Sequence, residues 1–202
     1  LADPTVERRK RRLVDRREAG FLEAALFAWE MDWPLIMAIT ISWNALIEAG
    51  ERNDGHCLGK READREAYIR TELRRFTAGL GLEFALLYGR EVGTDHGIHT
   101  HLYLFLPSQH LRQLVALLER TTGSPAEYVL APYTASTVAR STCGGWQLDM
   151  NTRLDTADSV TDFAEYLTKW GAEAHPAIQG KAYGVSQSIG PAARQRHGET
   201  NA

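Results

Sequence analysis

Hydrophobic positions recur with two periods along this chain, and the switches between them divide it into strands and helices. Residues 34–43 read as a buried strand, with Leu35, Met37, Ile39, Ile41 and Trp43 on one face and Ala38, Thr40 and Ser42 on the other. Over 61–76 the period lengthens: Ile69, Leu73 and Phe76 mark the inner side of a helix that Gly79 and Gly81 stop. Strands are predicted at 82–91 and 98–106, joined by a turn over 93–97. Pro107 and Ser108 open a helix with Leu111, Leu114, Val115 and Leu118 on one side. Shorter strands follow at 128–133 and 146–150. A helix over 158–170, closed by Gly171, has Val160, Phe163, Ala164 and Leu167 as its apolar face. Upstream, Asp3-Pro4 is a good helix start, and Leu22, Leu26 and Trp29 continue at helical spacing. Residues 48–60, rich in Gly, Asn and Asp, read as a loop. Beyond 171 little is left to pack apart from 181–189. Strands joined by short turns, with helices inserted between others, predict an α+β fold: a central antiparallel sheet flanked by helices. The expected organisation is a basic helical arm over 1–33, one domain over 34–190 and a flexible tail over 191–202.

Composition narrows the picture. Two hundred and two residues with 44% hydrophobic side chains and five tryptophans suffice for one well-filled core. The balance of 23 basic against 26 acidic residues excludes a protein that coats nucleic acid by bulk charge. The basic residues are unevenly spread, however. Arg8, Arg9, Lys10, Arg11, Arg12, Arg16 and Arg17 all fall within the first 17 positions. That run is either a solvated helix face or a contact with nucleic acid. Cys57 and Cys143 are too few for a disulfide framework or a four-ligand zinc set. No apolar run approaches the roughly 18 residues of a membrane span, and no signal peptide is recognisable, so a soluble intracellular protein is expected.

The chemistry-bearing residues cluster on one strand. His99 and His101 stand at i and i+2, about 6.7 Å apart along an extended chain, so both imidazoles can lean onto one cation. Tyr103 and Phe105 continue their face, while Thr100, Leu102, Leu104 and Leu106 form the other. A cupin metal site would need a glutamate four or five residues further on, where Phe105 and Leu106 stand. Across the predicted turn, Glu91 would come alongside the histidines, with His96 in the turn as the competing third ligand. Two histidines and one carboxylate leave positions open on a metal, as catalysis requires.

On the helix over 158–170, Asp162, Tyr166 and Lys169 fall on the side opposite the apolar face. The lysine stands out in a chain with 19 arginines and only four lysines. The ordered set of AITIS at 38–42, GIHTHLYL at 97–104 and EYLTKW at 165–170 resembles the HUH endonucleases, specifically the rolling-circle replication initiators of plasmids and single-stranded DNA phages. KAYGVSQSIG at 181–190 is similar to the region after the tyrosine in plasmid-type members. The resemblance spans residues 34–190 and has two departures. Thr100 stands between the histidines where the family has a large hydrophobe, and Asp162 occupies the place of a second tyrosine.

That resemblance implies an HUH-type nuclease fold and a nick in single-stranded DNA at a replication origin. Tyr166 would be left joined to the 5′ phosphate, Lys169 would lend charge to that phosphate, and Mn²⁺ or Mg²⁺ would sit on Glu91, His99 and His101. Asp162 is a candidate general base for a second cleavage, or else part of a helix cap. No phosphate-binding GxxxxGK[ST] loop occurs in the sequence, so a separate host or plasmid helicase is the expected partner, in a bacterial cytoplasm and encoded by a plasmid or phage. Two other roles fit the same residues: a single-strand DNA transposase of the same superfamily, and a DNA-binding module without catalysis.

Overall fold

The computed structural model describes residues 20–53, 62–93, 97–128, 137–150, 160, 178 and 183–200. Seven strands form one antiparallel sheet: β1 (Met37–Ser42), β2 (Leu86–Gly93), β3 (Gly97–Leu104), β4 (Ala126–Tyr128), β5 (Thr137–Ser141), β6 (Trp146–Met150) and β7 (Tyr183–Val185), in the order β4-β5-β6-β1-β3-β2-β7. Five α-helices accompany them among the described residues: α1 over 20–30, α2 (Trp43–Asn53), α3 (Glu62–Gly79), α4 (Leu111–Thr122) and α5 (Pro191–Thr200). The class is α+β. None of these helices is long and apolar enough to cross a membrane.

The sheet buries apolar side chains on both faces, and alternation assigns each residue to its side. One face carries Met37, Ile39, Ile41, Leu86, Leu102, Leu104 and Leu148 against Ile69 and Leu73 of α3 and Leu114, Val115 and Leu118 of α4. Each such side chain, fully withdrawn from water, contributes about 1.5–3 kcal/mol. The described residues cover the opposite face only in part. There Phe21, Ala24, Ala25, Phe27 and Ala28 of α1 pack on Leu87, Tyr103, Val160 and Ile189. The same face of β1, β2 and β3 then continues into polar residues.

Several elements differ from the sequence pattern. The strand ends at Ser42, and Trp43 starts α2, reaching the core from a helix and not from the strand. The expected loop over 48–60 is helical as far as Asn53, because Trp43 and Leu46, three apart, give this segment a buried side. On α1 the buried residues are Phe21, Ala24, Ala25, Phe27 and Ala28, whereas Trp29 is 37% exposed, so the inner stripe lies beside the Leu22–Leu26–Trp29 row. Residues 191–200, expected as a loose tail, form α5. Ala193 packs against the second core, and Arg194 donates to the Ile189 carbonyl at 3.0 Å and to Glu23 of α1 at 2.8 Å. The periodicity does not predict strand β5, and of the strand expected over 128–133 only Tyr128 falls within a described one. Of the helix expected over 158–170, Val160 alone is described; it is helical and buried in the second core.

Candidate metal centre

Register brings the three ligands together. Glu91 on β2 lies directly opposite His99 on β3, and His101, two residues on, lies opposite Gly89. A two-residue step returns a strand to the same face, so Glu91, His99 and His101 all project from the partly covered side. Glu91 Oε1 and Nε2 of His99 make a very short contact, and the same oxygen lies 3.1 Å from Nε2 of His101. One donor atom from each residue lies within 4.8 Å of the others, and the group could hold a metal ion. His96, the competing ligand, lies outside the described residues.

The far side of each ring decides what its near side offers. His99 Nδ1 lies 3.0 Å from the Gly97 carbonyl, which can only accept, so the proton of a neutral His99 sits on Nδ1. Nε2 then presents its lone pair to Glu91. Thr40 Oγ1, from the neighbouring strand β1, lies 3.1 Å from Nδ1 of His101 and fixes that ring in the same sense when Nδ1 donates. Two imidazole lone pairs and a carboxylate oxygen facing one point repel each other unless a proton or a cation lies among them. That donor set fits a divalent cation. Ligands bonded at about 2.1 Å and at right angles to one another stand about 3 Å apart, close to the His101–Glu91 separation.

Burial pushes the His101 imidazole below its usual 6.5; the hydrogen bond and charge of Glu91 oppose this, and His99 adds to it. His101 is therefore neutral near pH 7, the form in which imidazole binds metal.

Around the ligands lies a pocket of about 290 Å³ lined by Thr40, Ser42, His99, His101, Gly144 and Gln147. Thr40 and Ser42 pair with His101 and His99, and Gln147 pairs with Thr40, so one row of β6, β1 and β3 extends the site into a polar platform. The sequence pattern places Thr40 and Ser42 on the polar face of their strand. It does not show that this face meets the histidines, because strand order across the sheet is not a local property. Thr100, on the other face, is fully buried and accepts from the Trp43 indole N–H at 2.9 Å. Its hydroxyl is thereby satisfied inside the core, which accounts for a threonine between two histidines.

Two glycines fit the hairpin around this site. A Cβ on Gly93 would stand 2.8 Å from Cε1 of His99. Gly97 has φ +64°, and a Cβ there would stand 2.2 Å from Nδ2 of Asn44 at the start of α2. Both would displace a side chain beside the ligands.

Asp162, Tyr166 and Lys169 lie outside the described residues, as do Arg8, Arg9, Lys10, Arg11, Arg12, Arg16 and Arg17. Comparison of the chain with family models, with curated proteins and with solved structures returned no match.

Proposed function

We propose that this chain is a metal-dependent single-stranded DNA endonuclease and strand transferase of the HUH type that nicks a replication origin to start rolling-circle synthesis. The observation that carries the reading is the convergence of Glu91, His99 and His101 on one face of adjacent strands, within a chain whose motif order matches that of those enzymes. A two-histidine, one-carboxylate donor set serves several chemistries, so the choice among them comes from the motifs around it. Val160, the one described residue of the helix expected over 158–170, packs on the same face of the sheet as Glu91, His99 and His101, which supports the reading.

In this reading the Tyr166 oxygen forms a bond to phosphorus while the bond from phosphorus to the 3′ oxygen breaks. The products are a 5′-phosphotyrosine link and a free 3′ hydroxyl. A free tyrosine is only about 0.1% phenolate at pH 7, a deficit of roughly 4 kcal/mol, so the reaction needs help with charge. Mn²⁺ or Mg²⁺ held by Glu91, His99 and His101 would polarise the phosphate. Lys169, one helical turn from Tyr166, would add a point charge to the same phosphate. Asp162, one turn earlier, would take a proton from water in the second cleavage. The basic run Arg8–Arg17 would grip flanking phosphates, and strand separation would come from a separate helicase.

The test is cleavage of single-stranded oligonucleotides with Mn²⁺ or Mg²⁺. Cuts leaving a 3′ hydroxyl, lost in His99→Ala and His101→Ala while DNA binding persists, are expected. Binding without any cleavage would leave a DNA-binding module. Joining of the cut strand to defined foreign ends would favour a transposase.

A further inference from the structure

Glu91 lies near the end of β2, directly opposite His99. Its position relative to His99 and His101 depends on what holds this strand end, and among the described residues one anchor stands beside the β3 ladder.

The anchor is on the other face. Alternation turns Arg90 away from the ligands and into the interior, where its side chain is 1% exposed. There its Nε lies 3.1 Å from Oε2 of Glu66 on α3, itself 3% exposed. The second oxygen of Glu66 lies 2.9 Å from Nε of Arg70, and the Arg70 guanidinium lies 4.4 Å from the centre of the Tyr88 ring. Helix α3 thus grips β2 at positions 88 and 90, immediately before the ligand. Any roll of this strand end about its axis would move Arg90 and Glu91 together, and the Arg90–Glu66 contact resists that roll. An apolar pair could fill the same space, but it would lack the attraction between the charges, and replacing buried pairs in this way is often neutral for stability.

We infer that the buried Arg90–Glu66 pair sets the cation affinity of the Glu91–His99–His101 group from the opposite face of the sheet, Arg90 being a positioning residue that acts through Glu91. This rests on the metal reading and not on the DNA chemistry.

The test is calorimetric titration of Mn²⁺ into the full chain, well below the melting temperature, for wild type and for the Arg90→Met/Glu66→Leu, Arg90→Lys and Glu66→Asp variants. The double variant is expected to fold yet bind Mn²⁺ about 10- to 100-fold more weakly, the usual cost of losing a residue that orients a ligand. Arg90→Lys, which keeps charge and reach, should stay within about threefold of wild type. Glu66→Asp, which withdraws the carboxylate without removing charge, should weaken Mn²⁺ binding and serves if the double variant does not fold. Wild-type affinity in the folded double variant, or in Glu66→Asp, would overturn the inference. No Mn²⁺ binding by wild type would instead overturn the metal reading beneath it.

Discussion

The atoms behind His99 and His101 suit both rings to hold a metal ion. Gly97 and Thr40 hold the two Nδ1 atoms, which leaves the Nε2 atoms to face Glu91. Losing an orienting partner typically costs 10- to 100-fold in metal affinity. His99→Ala, His101→Ala and Glu91→Ala remove a ligand outright, so each should cost more than about 100-fold in Mn²⁺ affinity by calorimetry. The circular dichroism spectrum should stay unchanged, since the three project from the partly covered face. His101 also makes stability depend on pH. Its folded form resists protonation below the usual 6.5, because burial disfavours the charged ring. The unfolded chain therefore takes up the proton first as pH falls. The stability that neutral His101 contributes is present above about 6.5 and is lost as pH drops towards its folded value. Melting of the metal-free chain at about pH 7.5 and about pH 5 should show a fall, smaller in His101→Gln. An equal fall in the variant would assign the pH dependence to other groups.

At the scale of elements, the hairpin of β2 and β3 is the part most fully legible in the sequence. Two strands, a glycine-flanked turn and a carboxylate eight residues before the first histidine are all local features, and the register sets Glu91 opposite His99. Gly97 limits what side chain the hairpin can accept at that position. Alanine there would force φ +64° on a residue with a Cβ, costing about 1–2 kcal/mol, and would strike Asn44. Gly97→Ala should therefore lower the melting temperature and weaken Mn²⁺ binding together. Gly93→Ala has no such backbone strain, and its Cβ would meet the His99 ring, so it should weaken Mn²⁺ binding with a smaller loss of stability. Other elements are illegible for physical reasons. The segment Trp43–Asn53 carries Gly50 and a polar end, and its helix is held by what Trp43 and Leu46 touch. Strand β5 buries Ala139 and Ser141, side chains too small to register as a hydrophobic stripe, and its place comes from pairing with β4 and β6. Helix α5 is held through Ala193 and Arg194, in part by α1 at the other end of the chain.

Over the whole molecule the sheet separates two tasks. One face is closed by α3 and α4 over a continuous apolar core. Among the described residues, the other is covered at one end by α1 and carries the candidate metal centre and its polar platform at the other. The class and the antiparallel sheet are legible from the alternation of periods, as is Glu91 as a companion of the two histidines. The order β4-β5-β6-β1-β3-β2-β7 is not, since it depends on pairing between distant segments. Charge belongs to this scale as well. If the run Arg8–Arg17 grips single-stranded DNA, neutralising it should weaken binding uniformly across sequences. The slope of log affinity against log salt should flatten by about 0.7 for each phosphate that the run neutralises, read from titrations at several salt concentrations. An unchanged slope would make the run a solvated face. The proposed link between Tyr166 and DNA is covalent, so it is read by mass spectrometry of the chain after incubation with single-stranded DNA and Mn²⁺, followed by mapping of the modified peptide. A denaturant-resistant nucleotide mass on the peptide containing Tyr166, absent in Tyr166→Phe and on removal of the metal, is the expected result. Cleavage with no covalent mass on any tyrosine would rule out the tyrosine mechanism.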